Sequence, residues 1–349
     1  MLEFWRGRRV LVTGHTGFKG AWLCRCLQLA GASLTGYALP PPTTPSLFEL
    51  ADISENMDSV MGDIRDFAQL SLAFERAAPE VVLHLAAQPI VREGYRIPRE
   101  TYDVNVMGTV NVLECVRNTP SVRSAVIVTT DKVYENREWH WGYRENERLD
   151  GFDPYSGSKS CAELVTATYR RCFLQHQGVA VSTVRAGNVL GGGDFSPDRI
   201  MPDLVRAALT GVPVTVRNPY AVRPYQHVLD PIFAYLLIAE RQWQNGALAD
   251  SYNVGPGERD SLTTGELADR FIALWGDTLM RVDSPRQGAW HEAGLLRLDT
   301  AKLRQTFNWR PRWEIDEAIF RVVEFVQALR KGEAARDIMD RQIAAFAAE

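Results

Sequence analysis

The sequence predicts an α/β fold, a doubly wound parallel sheet with helices on both faces, followed by a smaller, mixed C-terminal body. Three observations carry this reading. Short β-branched runs alternate with helical patterns through the first half of the chain. A glycine-rich turn, Gly14-His15-Thr16-Gly17-Phe18-Lys19-Gly20, falls at the first strand-to-helix junction. Four glycines between Arg185 and Gly193 then mark where the chain leaves the sheet and its pattern turns irregular.

Taken in order, Arg9 to Thr13 reads as a strand, and a helix from about Lys19 to Ala30 stops at Gly31. Ser33 to Tyr37 completes a βαβ unit. Leu39-Pro40-Pro41-Pro42-Thr43-Thr44-Pro45 can be neither helix nor central strand, because proline lacks the amide hydrogen, so a surface loop is predicted. Gly62-Asp63-Ile64-Arg65-Asp66 follows a further strand and leads into a helix over 66–77. Strands at Val81 to Leu85, Ala125 to Val128 and Val179 to Arg185 alternate with helices at 99–117 and 156–176. Helices are expected beyond at 201–210, 231–243, 263–275 and 316–329, with a terminal amphipathic helix over 334–347.

At 349 residues, with 46% hydrophobic and 23% charged residues, the chain can bury a full core. A net charge of -4 offers no basic surface for a polyanion, so nucleic acid is not an expected partner. Arg6, Arg8 and Arg9 form the only basic clump, at the entry to the first strand. The five cysteines lie in predicted helices without zinc-site or disulfide spacing, so no metal is expected. No run approaches the roughly 20 apolar residues that cross a bilayer, and no signal-peptide pattern stands at the N-terminus, so a cytoplasmic protein without membrane association is expected.

Tyr155 and Lys159 are four apart in a predicted helix and share a face. An ammonium beside a phenol of pKa about 10 favours the phenolate and makes it usable as a base. That spacing alone is common. Its partner is Thr129-Thr130-Asp131-Lys132, directly after the apolar run 125–128, where a buried strand opens toward a site. Gly14, Gly17 and Gly20 leave the amides of a helix N-terminus free for a pyrophosphate, although the spacing departs from Gly-x-Gly-x-x-Gly. Thr35-Gly36-Tyr37-Ala38 offers neither the acidic residue of an NAD site nor an arginine for a 2′-phosphate; NAD is the expectation, and NADP stays open. Asp63 can accept from adenine's amino group or cap the next helix, dividing the work with Asp66.

The glycine turn, Leu85-Ala86-Ala87, Asn105-Val106-Met107-Gly108-Thr109, the Thr130 segment and Tyr155-x-x-x-Lys159, in this order, resemble the extended short-chain dehydrogenase/reductase superfamily over most of the chain. Within it, Ala86-Ala87-Gln88-Pro89, Thr130-Asp131-Lys132, Trp141-Gly142-Tyr143-Arg144-Glu145-Asn146 and Arg185-Ala186-Gly187-Asn188-Val189 are similar to the CDP-glucose 4,6-dehydratases. The resemblance implies an NAD-binding Rossmann domain over 1–185, rejoined by segments around 225–255, and a nucleotide-sugar-binding domain over 186–349. It implies a lyase acting on CDP-D-glucose, on the route to the dideoxyhexoses of bacterial lipopolysaccharide.

By the same resemblance Thr130, Asp131, Lys132, Tyr155 and Lys159 are catalytic. Gly14, Thr16, Gly17, Phe18, Lys19, Gly20, Asp63, Ile64, Leu85, Ala86, Ala87 and Asn105, with Tyr155 and Lys159, meet the cofactor. Gln88 lies near the hexose, Asn188 and Arg199 at the diphosphate, and Arg217 near the base, with Arg223 and His291 closing the far side. Trp139 and Trp141 are candidate walls. A homodimer, or a dimer of dimers, is implied through the helices at 99–117 and 156–176, where Val106, Val110, Leu113, Leu164 and Val165 recur at helical spacing. Related dehydratases carry Asp-Glu where this chain has Asp131-Lys132, which leaves the split of acid and base open. A 4-epimerase could use Thr130, Tyr155 and Lys159 without that pair, and an NAD(P)-sensing regulator would need none of these residues to react.

Overall fold

The computed structural model describes residues 2–257, 260–276, 279–284 and 293–349. The first half runs β1 (Arg9–Thr13), α1 (Phe18–Leu29), β2 (Ser33–Ala38), α2 (Leu47–Leu50), β3 (Asp58–Met61), α3 (Phe67–Ala77), β4 (Val81–His84), α4 (Val91–Arg96), α5 (Pro98–Tyr102), α6 (Gly108–Asn118), β5 (Ser124–Val128), α7 (Pro154–Tyr169) and β6 (Ala180–Ala186). The second half runs β7 (Asn188–Leu190), α8 (Ile200–Thr210), β8 (Val214–Val216), β9 (Val222–His227), α9 (Leu229–Gln244), β10 (Ser251–Val254), β11 (Ser261–Thr263), α10 (Thr264–Trp275), β12 (Arg281–Asp283), α11 (Ala301–Phe307), α12 (Ile315–Arg330) and α13 (Ala335–Ala348). Among the described residues no helix is long and apolar enough to cross a membrane.

Seven strands form one sheet in the order β3-β2-β1-β4-β5-β6-β10, and every pairing is parallel. Alternate residues feed opposite faces. Val10, Val12, Val126 and Val184 pack with α1, α9 and α13, whereas Leu11, Val82, Ala125, Ile127 and Val181 pack with α3 and α6. Burial on both faces explains why these strands read as continuous apolar runs. The smaller body holds a mixed sheet, β11-β9-β7, a parallel pair β12-β8, and its own core from α8, α10 and α12. After β9 the chain returns to the large sheet through α9 and β10, and Ile338, Met339, Ile343 and Phe346 of α13 pack beside Trp22 and Leu23.

Two predicted helices are interrupted. The one expected over 99–117 is divided by a π turn at Asp103–Met107, and the one over 156–176 gives way to a π turn at Arg170–Leu174. Side-chain periodicity hardly registers one extra residue per turn, so the pattern could not reveal it. Among the apolar positions expected at an interface, Leu113 is buried within the chain, because its face of α6 covers the sheet. Leu164 is 56% exposed, and Tyr102 and Met107 are also exposed.

Candidate active site

The C-terminal ends of β1, β4, β5 and β6 open on one edge, at the switch point between β1 and β4 where doubly wound sheets bind ligands. Gly14 turns there with φ +77°, and a Cβ on it would lie 2.7 Å from the Ala86 amide nitrogen. A Cβ on Gly20 would lie 2.1 Å from the Gly14 carbonyl oxygen. Gly17 caps α1 without a side chain, so the amides of the first turn have no side-chain cap. A dinucleotide's diphosphate fits this cradle, which holds free donors and excludes side chains.

Around the cradle, several predicted contacts are used by the protein itself. The Thr16 hydroxyl donates to the Leu39 carbonyl (2.9 Å) and ties down the proline-rich loop. Ile64 is 4% exposed and packs in the core beside α6, against Gly108. Asp66 is the cap of α3, accepting from the Gln69 amide at 3.0 Å. Asp63 instead pairs with Arg65 at 2.6 Å, which holds its carboxyl below the ordinary range. Asn105, in the π turn, accepts from the Gln88 amide (2.8 Å) and donates to the Gln88 carbonyl and to Ser158 Oγ (2.9 Å). One buried amide therefore braces the loop after β4 against α7. Gln88 also donates to Thr101 Oγ1 at 2.9 Å.

Asp153 caps α7 by accepting from the Ser156 amide (3.0 Å), and Pro154 occupies the first turn, so the helix starts just before Tyr155. Tyr155 is buried, which pushes its phenol up to about 12; a hydrogen bond with Thr130 and the charge of Arg199 pull it down, whereas Asp131 and Asp153 raise it. The Thr130 hydroxyl donates to Asp131 Oδ1 at 3.0 Å. Asp131 is 1% exposed, and its Oδ2 has no partner among the described residues. Lys132 Nζ lies 3.6 Å from Asp131 Oδ1. Lys159 donates to the Val128 carbonyl (3.2 Å), and burial lowers its ammonium to about 8. Lys19 enters the same space from α1; burial and the nearby Arg199 and Lys159 lower it to about 7.

Sequence reasoning missed the groups behind these residues. Glu163, one helical turn beyond Lys159, is 2% exposed and pairs with the equally buried Arg185 at 2.8 Å. The signal was present in the extension of the four-residue step from Tyr155 through Lys159 to Glu163. His84 bridges Thr13 Oγ1 (2.7 Å) and Thr109 Oγ1 (3.1 Å), and burial lowers it to about 3, so it is neutral.

Of the predicted nucleotide-sugar residues, Arg199, on the smaller body, lies close enough to Tyr155 and Lys19 for its charge to act on both. Arg199 pairs with Asp194 (3.4 Å), and Arg217 pairs with Asp198 and Asp203 (2.5 and 3.3 Å). Arg92 of α4 meets the same Asp198 at 3.1 Å. Asn188 is partly buried at the start of β7. Arg223 is 3% exposed and donates to the Ala293 and Val222 carbonyls, so it anchors backbone. His291 lies outside the described residues. Trp139 stacks on Tyr143 (5.9 Å) and meets Trp141 (5.2 Å), with Trp141 59% exposed.

Comparison with known proteins places this site in context. The sequence model of the GDP-mannose 4,6 dehydratase family matches residues 11–322. A CDP-glucose 4,6-dehydratase of Salmonella typhimurium is 45% identical over 99% of this chain and 97% of its own length. The fold superimposes on a UDP-glucose-4-epimerase from Stenotrophomonas maltophila solved with NAD and formylated UDP-arabinopyranose, with TM-score 0.81, 23% identity and coverage of 93% and 99% of the two chains. A dTDP-glucose 4,6-dehydratase from Bacillus anthracis in complex with NAD gives TM-score 0.76, 23% identity and coverage of 93% and 98%. A match that spans nearly the whole sequence, on a fold shared with nucleotide-sugar enzymes, establishes that the chain belongs to the GDP-mannose 4,6-dehydratase family.

Proposed function

We propose that the protein is an NAD-dependent CDP-glucose 4,6-dehydratase, a hydro-lyase that converts CDP-D-glucose to CDP-4-dehydro-6-deoxy-D-glucose and water. The observation that carries this reading is the 45% identity, nearly end to end, with the Salmonella enzyme of that name. The geometry agrees with it: an acid and a base candidate, Asp131 and Lys132, stand on the loop beside Tyr155.

Gly14, Gly17 and Gly20 would hold the diphosphate of NAD, and Leu85, Ala86 and Ala87 would also meet the cofactor. When bound, NAD would supply the acceptor for the C4 hydrogen and the donor that returns a hydrogen to C6. Tyr155, held by Thr130, removes the 4-hydroxyl proton as the ketone forms. The ketone acidifies C5. Lys132 takes the C5 proton, and Asp131 delivers a proton from its Oδ2, which has no partner among the described residues, to the 6-hydroxyl, which leaves as water. Lys132 then returns its proton to C5, and the proton that Tyr155 took from the 4-hydroxyl passes through the Thr130 hydroxyl to Asp131, which restores both groups. Asn188, Arg199 and Arg217 meet the nucleotide diphosphate and base, for which guanidinium forks are suited.

We further read residues 1–185, with the returning segments near 225–255, as the cofactor domain and 186–349 as the nucleotide-sugar domain. The protein is taken to act in the cytoplasm as a homodimer, through the face bearing Leu164, and its product to feed dideoxyhexose synthesis for lipopolysaccharide. Incubation with CDP-, dTDP-, UDP- and GDP-glucose tests the reading. A 4-keto product, seen by its absorbance in alkali, is expected from CDP-glucose; a product from another donor alone, or a C4-inverted sugar without loss of water, would refute it.

A further inference from the structure

We infer that Glu163, together with Arg185, is a positioning residue for the C4 oxidation, clamping the catalytic loop at both ends and keeping Lys159 charged. The inference rests on the dehydratase reading above. Glu163 accepts from Thr129 Oγ1 (2.5 Å), Thr183 Oγ1 (2.7 Å) and Arg185 Nη2 (2.8 Å). Thr129 immediately precedes Thr130. Arg185 donates in turn to Tyr134 Oη (2.8 Å) and the Glu145 carbonyl (2.9 Å), and Tyr134 donates to Asn253 Oδ1 (2.6 Å). Residues 130–133, the predicted catalytic loop, are thus bracketed by one ion pair, with Thr129 held by its carboxylate and Tyr134 by its guanidinium.

Stability gives little reason for such a pair. Desolvating two charges offsets most of their attraction, and apolar residues of similar volume often serve as well. A buried carboxylate one turn from Lys159 does something an apolar residue cannot. Tyr155 and Glu163 flank Lys159 on α7, Lys19 approaches from α1, and neutral His84 from β4. Of these, Glu163 alone carries negative charge, and it opposes the loss of the Lys159 proton that burial promotes.

The test compares wild type, Glu163→Gln and the double variant Glu163→Gln/Arg185→Gln, which leaves no unpaired buried charge. Two readouts are taken: the pH midpoint for acetylation of Lys159, resolved by peptide mass spectrometry, and the pH profile of keto-sugar formation. Glu163→Gln should lower the Lys159 midpoint and the alkaline limb of the profile together by about one pH unit. The double variant should bring the midpoint back toward wild type yet keep kcat at least about tenfold low with KM nearly unchanged, because the clamp is gone. An unmoved midpoint in folded Glu163→Gln overturns the electrostatic role, and wild-type kcat in the double variant overturns the clamp. Should the single variant not fold, the double variant decides, since a purely structural pair would leave its kcat normal once folded. If wild type forms no keto product from CDP-glucose, the dehydratase reading fails, while the acetylation midpoints still decide the link between Glu163 and Lys159.

Discussion

Asp230 offers a stability test whose sign depends on pH. It sits in the first turn of α9, fully buried, with Oδ1 accepting from the Arg312 amide (2.8 Å) and Oδ2 without a partner among the described residues. Burial pushes its carboxyl from 3.8 up to about 7, against the pull of the amides at Arg312 and Trp313 and of the Arg312 charge. The folded protein therefore binds a proton that the unfolded chain releases near pH 4. Stability from this group is full below pH 4, falls as pH rises from about 4 to 7, and levels off above 7. The whole displacement corresponds to about 4 kcal/mol, an upper bound. Asp230→Asn removes it but leaves a buried amide N–H without an acceptor, at a cost of roughly 1–3 kcal/mol. The variant should thus be more stable than wild type by about 1–3 kcal/mol at pH 8 and less stable at pH 4.5. Urea midpoints measured across that range check this; a difference between the two proteins that does not change with pH would refute the argument.

Tyr155→Phe should keep the fold and lower keto-sugar formation by at least about a hundredfold, because the ring still packs and only the proton acceptor is lost; near-normal turnover would remove Tyr155 as the base. Asp131→Asn should be partly rescued by CDP-6-deoxy-6-fluoroglucose, whose fluoride leaves with less acid help, and equal failure on both substrates would count against Asp131 as the acid. Gly20→Ala places a Cβ 2.1 Å from the Gly14 carbonyl and must open the cradle, so fluorescence titration should show NAD binding weakened at least about tenfold. Light scattering should give the mass of two chains, and Leu164→Asp, at a 56% exposed apolar position, should shift it toward one; a single-chain mass for wild type would refute the dimer.

Much of the architecture was legible in the chain. Wherever a strand is buried on both faces, as β1, β4 and β5 are, apolar runs between helical patterns leave no other assignment, and helical periodicity located α8, α9, α10, α12 and α13 to within about two residues but missed the seven-residue α11. Tyr155, Lys159, Thr130 and the glycine turn could be named because each lies next to a local signal: a helical step, a strand end, a strand-to-helix junction. Other assignments depended on what lies across space. Nothing in the sequence distinguishes Asp66 as the cap from Asp63 as the partner of Arg65, since both precede the same helix and only the backbone path decides which carboxylate reaches the free amides. Asn105 reads as a motif residue, yet its amide braces Gln88 and Ser158, which are 17 and 53 residues away. Glu163 and Arg185 became neighbours of the catalytic loop only because parallel pairing of β5 with β6 brings Thr129 and Thr183 to one carboxylate. Local periodicity is set by a residue's own backbone, whereas ion pairs and buried hydrogen bonds are set by which distant segments the packed sheet places side by side.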